Sequence, residues 1–282
     1  MSIDERRALL ELVARGINIP PQPRILVELR ERESRGNYDV RGLARIISQD
    51  PGITGMLFRI SRSPIFGKGK QLETLNQVLT LIGIKQVYCL VWAEALATSI
   101  PRDSRKALDV FWERSQQVAQ LSAIVAQDRV TVCNVFPEQA YMAGMFYGCG
   151  VAVLMQRFPD YCSSMRVGET TEWPDLTEED ARFNVDHCTI GYLVARHWKL
   201  PDFICRAIRY HDELPPENEF GATRSVSSIL LMANHLYHRM NRLKEPRWND
   251  IREDVLAELG IFGEDEEEVF ALKVEDKFVL EE

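Results

Sequence analysis

The chain lacks the marks of several large protein classes. No part of its 282 residues is continuously apolar for the roughly 18–20 positions that a membrane span requires. The longest candidate, around Val87–Leu96, is too short and contains Glu94. The N-terminus, MSIDERRALLELVARG, is charged and amphipathic, which does not suit a signal peptide. The six cysteines (89, 133, 149, 162, 188 and 205) include no CxxC pair and no zinc-like spacing with histidine. They read as buried thiols of a reducing cytoplasm, with no structural disulfide. No GxSxG elbow, Walker loop or GxGxxG turn occurs. Strand-like alternation is confined to Val130–Val135. An excess of positive charge is missing too: the formal charge is −8, which argues against nucleic-acid or anionic-membrane binding.

That charge is unevenly spread. Residues 263–282 hold nine acidic and two basic groups, a net of −7, and residues 1–262 carry only −1. The acidic end also contains Val269, Phe270, Leu272, Val274, Phe278, Val279 and Leu280. So much apolar material suits a segment docked on the body with its acids outward. The sharper alternative is an acidic peptide that recruits a basic partner or occupies a basic turn within the chain.

What fills the sequence is helical periodicity. Ile3, Leu9, Leu10, Leu12 and Val13 share one face of a first helix behind Ser2. Pro20, Pro21 and Pro23 stop any continuation, and a second helix is predicted over 24–33. Asp39 can cap 40–48, and Asp50 precedes Pro51 at a first helical position, where the missing donor costs nothing. Further helices are predicted at 72–81, 84–98, 104–128, 138–156, 177–196 with a break near Asp186, 201–211, 222–242 and 248–259. These spans describe an all-α, irregular multi-helix bundle with an N-terminal helical subdomain. The expected organisation is a helix at 1–16, a domain at 17–260 with subdomains at about 17–103 and 104–260, and the acidic segment at 261–282.

Several pieces appear in an order that resembles a known family. They are Pro20 to Pro23, Asp50-Pro51, Ser61 to Gly67 and Ile82-Gly83, followed by FWERSQQVAQLSAIVA, AYMAGMFYGCGVAVL, NVDHCTIGYLVARHWKLPDFICRAIRYHDE and SILLMANHLYHRM. From about residue 17 to 260 the chain resembles HDOD domains, helical relatives of the HD-domain phosphohydrolases of bacterial signalling. One departure is Arg62-Ser63, where the family usually has Asn-Ser. The resemblance implies an HD-superfamily fold and a regulatory or scaffold role, with binding of a protein partner or a small signalling ligand.

An active HD enzyme needs His and carboxylate ligands around a divalent metal that polarises phosphate and supplies hydroxide. In the matching positions this chain has Arg114 for the first His, Tyr147-Gly148 for the His-Asp dyad and Asn234 for the final Asp. Tyr141–Leu154 contains no His, Asp or Glu to replace them. The resemblance therefore implies no catalysis of this kind, no metal and no cofactor.

Other candidates carry less. His187 and His211, where the family often keeps His, could form a hydrogen-bonded structural pair or, with Asp186 and Asp212, a weak metal site. The structural pair is the preferred reading. His235 and His238 are neighbours on a helix with no carboxylate or cysteine close in sequence, and they read as a chance surface pair. His197 beside Trp198 reads as packing. Cys149, between Gly148 and Gly150, reads as a small residue in tight helix packing, and Trp92, Phe111, Trp112 and Trp198 as core aromatics. Arg59, Arg62, Lys68 and Lys70 cluster around the turn that departs from the family pattern. They are either solvated surface or an anion-binding patch for a nucleotide. The expectation is a cytoplasmic bacterial signalling protein without catalysis, with a residual or altered metal-dependent phosphohydrolase using His187 and His211 as one alternative and a nucleotide or nucleic-acid-linked regulator using Arg59, Arg62, Lys68 and Lys70 as another.

Overall fold

The computed structural model describes residues 3–35, 39–62, 72–99, 106–167, 173–210, 213–216, 221–245 and 247–279. Among them the chain forms sixteen helices and no strand. The first half holds α1 (Ile3–Ala14), α2 (Arg24–Ser34), α3 (Val40–Ile47), α4 (Pro51–Ile60), α5 (Leu75–Ile82) and α6 (Ile84–Ser99). The long α7 (Lys106–Cys133) leads into α8 (Pro137–Tyr147), α9 (Cys149–Arg157), α10 (Tyr161–Ser164), α11 (Leu176–Phe183) and α12 (His187–His197). Then come α13 (Asp202–Arg209), α14 (Ala222–Met240), α15 (Trp248–Leu259) and α16 (Glu264–Val279).

Local chemistry sets many of these boundaries. Asp39 accepts from the backbone N–H groups of Arg41 and Gly42, and Asp50 accepts from that of Ile53, so each satisfies donors that a helix start leaves open. Asp186 caps α12 in the same way through Thr189. The α4 stripe Ile53, Met56, Leu57 and Ile60 is buried as its spacing predicts.

The core forms where α7 packs along α8 and α14, and α6 carries the N-terminal helices onto α8. The apolar side chains of both halves belong to one continuous cluster. Trp92, Phe111, Trp112 and Trp198 are all buried in it. Trp198 Nε1 donates to the Pro20 carbonyl at 2.8 Å, tying the proline-rich segment to the second half. All six cysteines are free thiols, four of them buried. No single helix among the described residues is long and apolar enough to cross a membrane.

Four expectations are corrected. Residues 138–156 form two helices that meet at Gly148, whose backbone (φ −100°, ψ 12°) leaves the helical range, and a Cβ there would stand 2.3 Å from the Trp173 ring, an approach that only glycine admits. Val130–Cys133 continue α7 past a kink at Arg129 instead of alternating as a strand. On α1, Leu12 is buried but Leu10 and Val13 are exposed, so the helix contributes a narrower face than its sequence offers. The acidic end is helical and docks through Phe270, Ala271, Val274 and Phe278, yet its acids do not simply point outward. Glu268 and Glu275 pair with Arg239, and Glu267 pairs with Arg252.

Candidate functional site

The four positions that the resemblance assigns to metal ligands converge. Arg114 comes from α7, Tyr147 and Gly148 from the α8–α9 junction, and Asn234 from α14. All four touch Trp173, a residue that periodicity alone gave no reason to single out. The Arg114 guanidinium lies 4.1 Å from the centre of the indole, and the Tyr147 ring meets it edge-on at 5.7 Å. Gly148 leaves the room that the indole occupies. Trp173 Nε1 donates to Asn234 Oδ1 at 3.1 Å, and Arg114 Nη2 donates to the same oxygen at 3.2 Å. Arg114 is itself buried, and the Tyr237 ring takes up its other side at 5.2 Å.

This donor set does not fit a divalent metal. A guanidinium repels it, glycine offers no side chain, and the one amide oxygen already accepts two hydrogen bonds. Among the described residues no group of three or more His, Cys, Asp or Glu side chains is arranged to hold a metal ion.

A polar network extends from this cluster. Arg114 Nη2 also faces His238 Nε2 at 3.2 Å, and Nδ1 of the same ring lies 3.4 Å from Glu245 Oε1. Glu245 in turn accepts from His235 Nδ1 at 2.7 Å and from Asn234 Nδ2 at 3.4 Å. The sequence reading of His235 and His238 as a chance surface pair is thus corrected. His238 is buried, His235 stacks on Trp248 with ring centres 3.9 Å apart, and the carboxylate they share comes from the loop after α14. Burial opposes the charge on Glu245, but the His235 hydrogen bond and the neighbouring His238 imidazole outweigh it and lower its pKa. Beside the network lies a cleft of about 190 Å³, lined by Trp173, Asn234, His238, Glu245, Trp248 and Ile251 among others.

His187 meets Glu179, a partner that the sequence did not single out. His211 and Asp212 lie outside the described residues. The His187 ring is fully buried at the start of α12, where Nδ1 meets Glu179 Oε2 at 2.6 Å and its backbone N–H donates to the same oxygen at 2.9 Å. The Tyr161 hydroxyl donates to the other oxygen of Glu179. Burial disfavours the imidazolium, but the neighbouring Cys188 and Glu179 outweigh it and hold the pKa of His187 well above the ordinary value.

Cys149 is fully buried, and burial pushes its thiol pKa up, which suppresses the reactive thiolate. The adjoining Gly150 explains the tight packing, since a Cβ there would stand 1.9 Å from the His187 carbonyl oxygen. Arg59 and Arg62 are exposed, and Lys68 and Lys70 lie outside the described residues.

The order of motifs along the chain and this helical arrangement point the same way. The family model of the HDOD domain matches residues 19–214. The chain belongs to the HDOD family. The match stops short of residue 260, where the motif order ends. An uncharacterized protein of Treponema pallidum (strain Nichols) is 21% identical over 201 residues, 70% of this chain and 38% of that protein. The chain therefore spans well under half the length of this curated relative. Among solved structures, an HDOD domain protein of unknown function from Geobacter sulfurreducens is 19% identical with a TM-score of 0.67, covering 100% of this chain and 99% of its own. A candidate phosphohydrolase from Shewanella amazonensis SB2B is 18% identical with a TM-score of 0.70, covering 97% and 96%. A candidate signal transduction protein from Marinobacter aquaeolei VT8 is also 18% identical, with a TM-score of 0.67, covering 95% of this chain and 60% of its own. At these identities the likeness concerns the fold.

Proposed function

We propose that this HDOD protein is a non-catalytic module of a bacterial signalling system that works by binding a protein partner or a small signalling ligand. One observation carries the reading. The positions that the resemblance matches to HD metal ligands lie around Arg114 and Trp173, a cation and an indole that fill the space with their own contacts. A site of that composition offers no set of anionic or imidazole ligands to hold a Lewis acid that would generate hydroxide. The family assignment and the signal-transduction neighbour from Marinobacter aquaeolei support the signalling role. The cleft beside Trp173 and Trp248 supports a small ligand as one means of input.

The test is metal content together with turnover. The purified full chain is loaded with Mn, Fe or Mg, its bound metal is measured, and hydrolysis of p-nitrophenyl phosphate and cyclic dinucleotides is followed. The expected outcome is no stoichiometric metal and no hydrolysis above the buffer rate. Stoichiometric metal with turnover, both lost in His211→Ala, would overturn the reading in favour of a phosphohydrolase built on His187 and His211.

A further inference from the structure

The acidic helix α16 is apolar on two opposite sides. Its inner side is used: Phe270, Val274 and Phe278 are buried against α7 and α14. Its flanks are used as well. Lys273 and Lys277 reach Asp128 on α7, and Glu268 and Glu275 reach Arg239 on α14. Between those flanks, facing away from the body, a helical turn of 100° per residue brings five positions together: Asp265, Val269, Leu272, Asp276 and Val279. The three aliphatic side chains are 66%, 48% and 63% exposed. Neither aspartate forms an ion pair or hydrogen bond among the described residues.

Single apolar residues on a surface are ordinary, but this is a second stripe on a helix whose first stripe is already in the core. A second apolar stripe left in solvent offers area that a partner can bury. Charge selects what covers it. The stripe carries two carboxylates and no cation, so a second copy of this chain laid face to face would bring four carboxylates together. A basic segment would offset them.

We infer that the outer face of α16 is a docking surface for a basic amphipathic helix of a partner protein, whose aliphatic side chains cover Val269, Leu272 and Val279 and whose Lys or Arg side chains pair with Asp265 and Asp276. This rests on the reading of the chain as a partner-binding module and names the chemistry of the partner. It also gives the acidic end both of the roles its sequence suggested, since the inner face docks and the outer face recruits.

Two measurements on the full chain test it. The first uses an 18-residue Leu/Lys amphipathic peptide and its Leu/Glu counterpart as probes, read by fluorescence anisotropy. The Leu/Lys peptide is expected to bind, and the Leu/Glu peptide is not. Binding is expected to weaken at least tenfold in V269S/L272S/V279S, which keeps the charge, and at least tenfold in D265N/D276N, which keeps the apolar face. Circular dichroism melts of both variants should match the parent, because all five side chains point away from the core. Equal affinity in parent and variants, or binding of both peptides, would overturn the inference. The second places a photo-crosslinking residue at Leu272, with Glu178 on α11 as the control position, and maps the adduct in the native host. An adduct from Leu272 to a basic amphipathic segment supports the surface. An adduct to a second copy of this chain, or to an acidic segment, overturns it. A partner captured only from the control position also overturns it, while leaving the partner-binding function standing.

Discussion

Glu179→Gln isolates the contribution of the buried charge on α11. The native carboxylate and the His187 ring are both fully buried, and Glu179 accepts from His187 Nδ1, from the His187 backbone N–H and from the Tyr161 hydroxyl. Glutamine keeps the shape but offers one acceptor oxygen and one amide donor, so a donor must face a donor at one of these contacts. Removing one charge of a buried pair costs about 3–5 kcal/mol. Whole domains hold roughly 5–15 kcal/mol, so the variant should be marginal. The pH dependence supplies the sharper signature. Burial works against the imidazolium, but Cys188 and Glu179 keep the folded-state pKa of His187 well above its ordinary value. A raised folded pKa means that the native state keeps a proton which the unfolded chain releases near pH 6.5. The stabilisation is thus complete below about pH 6.5 and is lost as pH rises toward the folded pKa, by up to about 1.4 kcal/mol per pH unit. Urea unfolding at pH 6, 7.5 and 9 reads both effects. The parent should lose stability across this series, whereas Glu179→Gln should start several kcal/mol lower with a flattened slope. A variant within about 1 kcal/mol of the parent at pH 6, or one with the parent's slope, would refute the assignment of this charge to the Glu179–His187 pair.

Gly148→Ala should expel Trp173 from the cluster, because the new methyl would stand 2.3 Å from the indole. The expected cost is about 1–3 kcal/mol with a red-shifted tryptophan emission, and an unchanged spectrum would remove Trp173 as the filler of this site. Glu245→Gln should weaken the network that joins His235, His238 and Asn234. The pKa of Glu245 is lowered in the fold, so its contribution is present above its ordinary value of 4.5 and is lost as the pH falls below it. The parent should therefore destabilise in acid more steeply than the variant, as read by thermal melts between pH 7 and 4.

How much was legible follows from the range of each signal. Helix positions rest on caps and stripes a few residues apart, which is why Asp39, Asp50 and Asp186 mark their helices correctly. The need for glycine at 148 was not legible, since it depends on a ring brought in from 25 residues further along the chain. Glu179 and Glu245 were missed for the same reason. Each is an acidic residue among many until the fold sets it against a particular imidazole, and no periodicity encodes that meeting. Trp173 sits in a stretch without helical pattern, so the sequence offered no face on which to place it.

The four positions that the resemblance singles out lie together around Trp173, and their geometry gives them a common logic. In an HD enzyme, imidazoles and carboxylates gather around a cation. Here the cation is covalently part of the chain. Arg114 stands where the resemblance puts the first of those ligands, and it is surrounded by the amide oxygen of Asn234, His238 Nε2 and the rings of Trp173 and Tyr237. An aspartate in place of Asn234 would bring a full negative charge against Arg114, but its carboxylate would have no amide donor for Glu245 and would repel it. The neutral amide serves both neighbours, accepting from the cation and donating to the anion. One self-contained charge network thus joins the positions that the resemblance matches to metal ligands, and Asn234 is the residue that links its cationic and anionic halves.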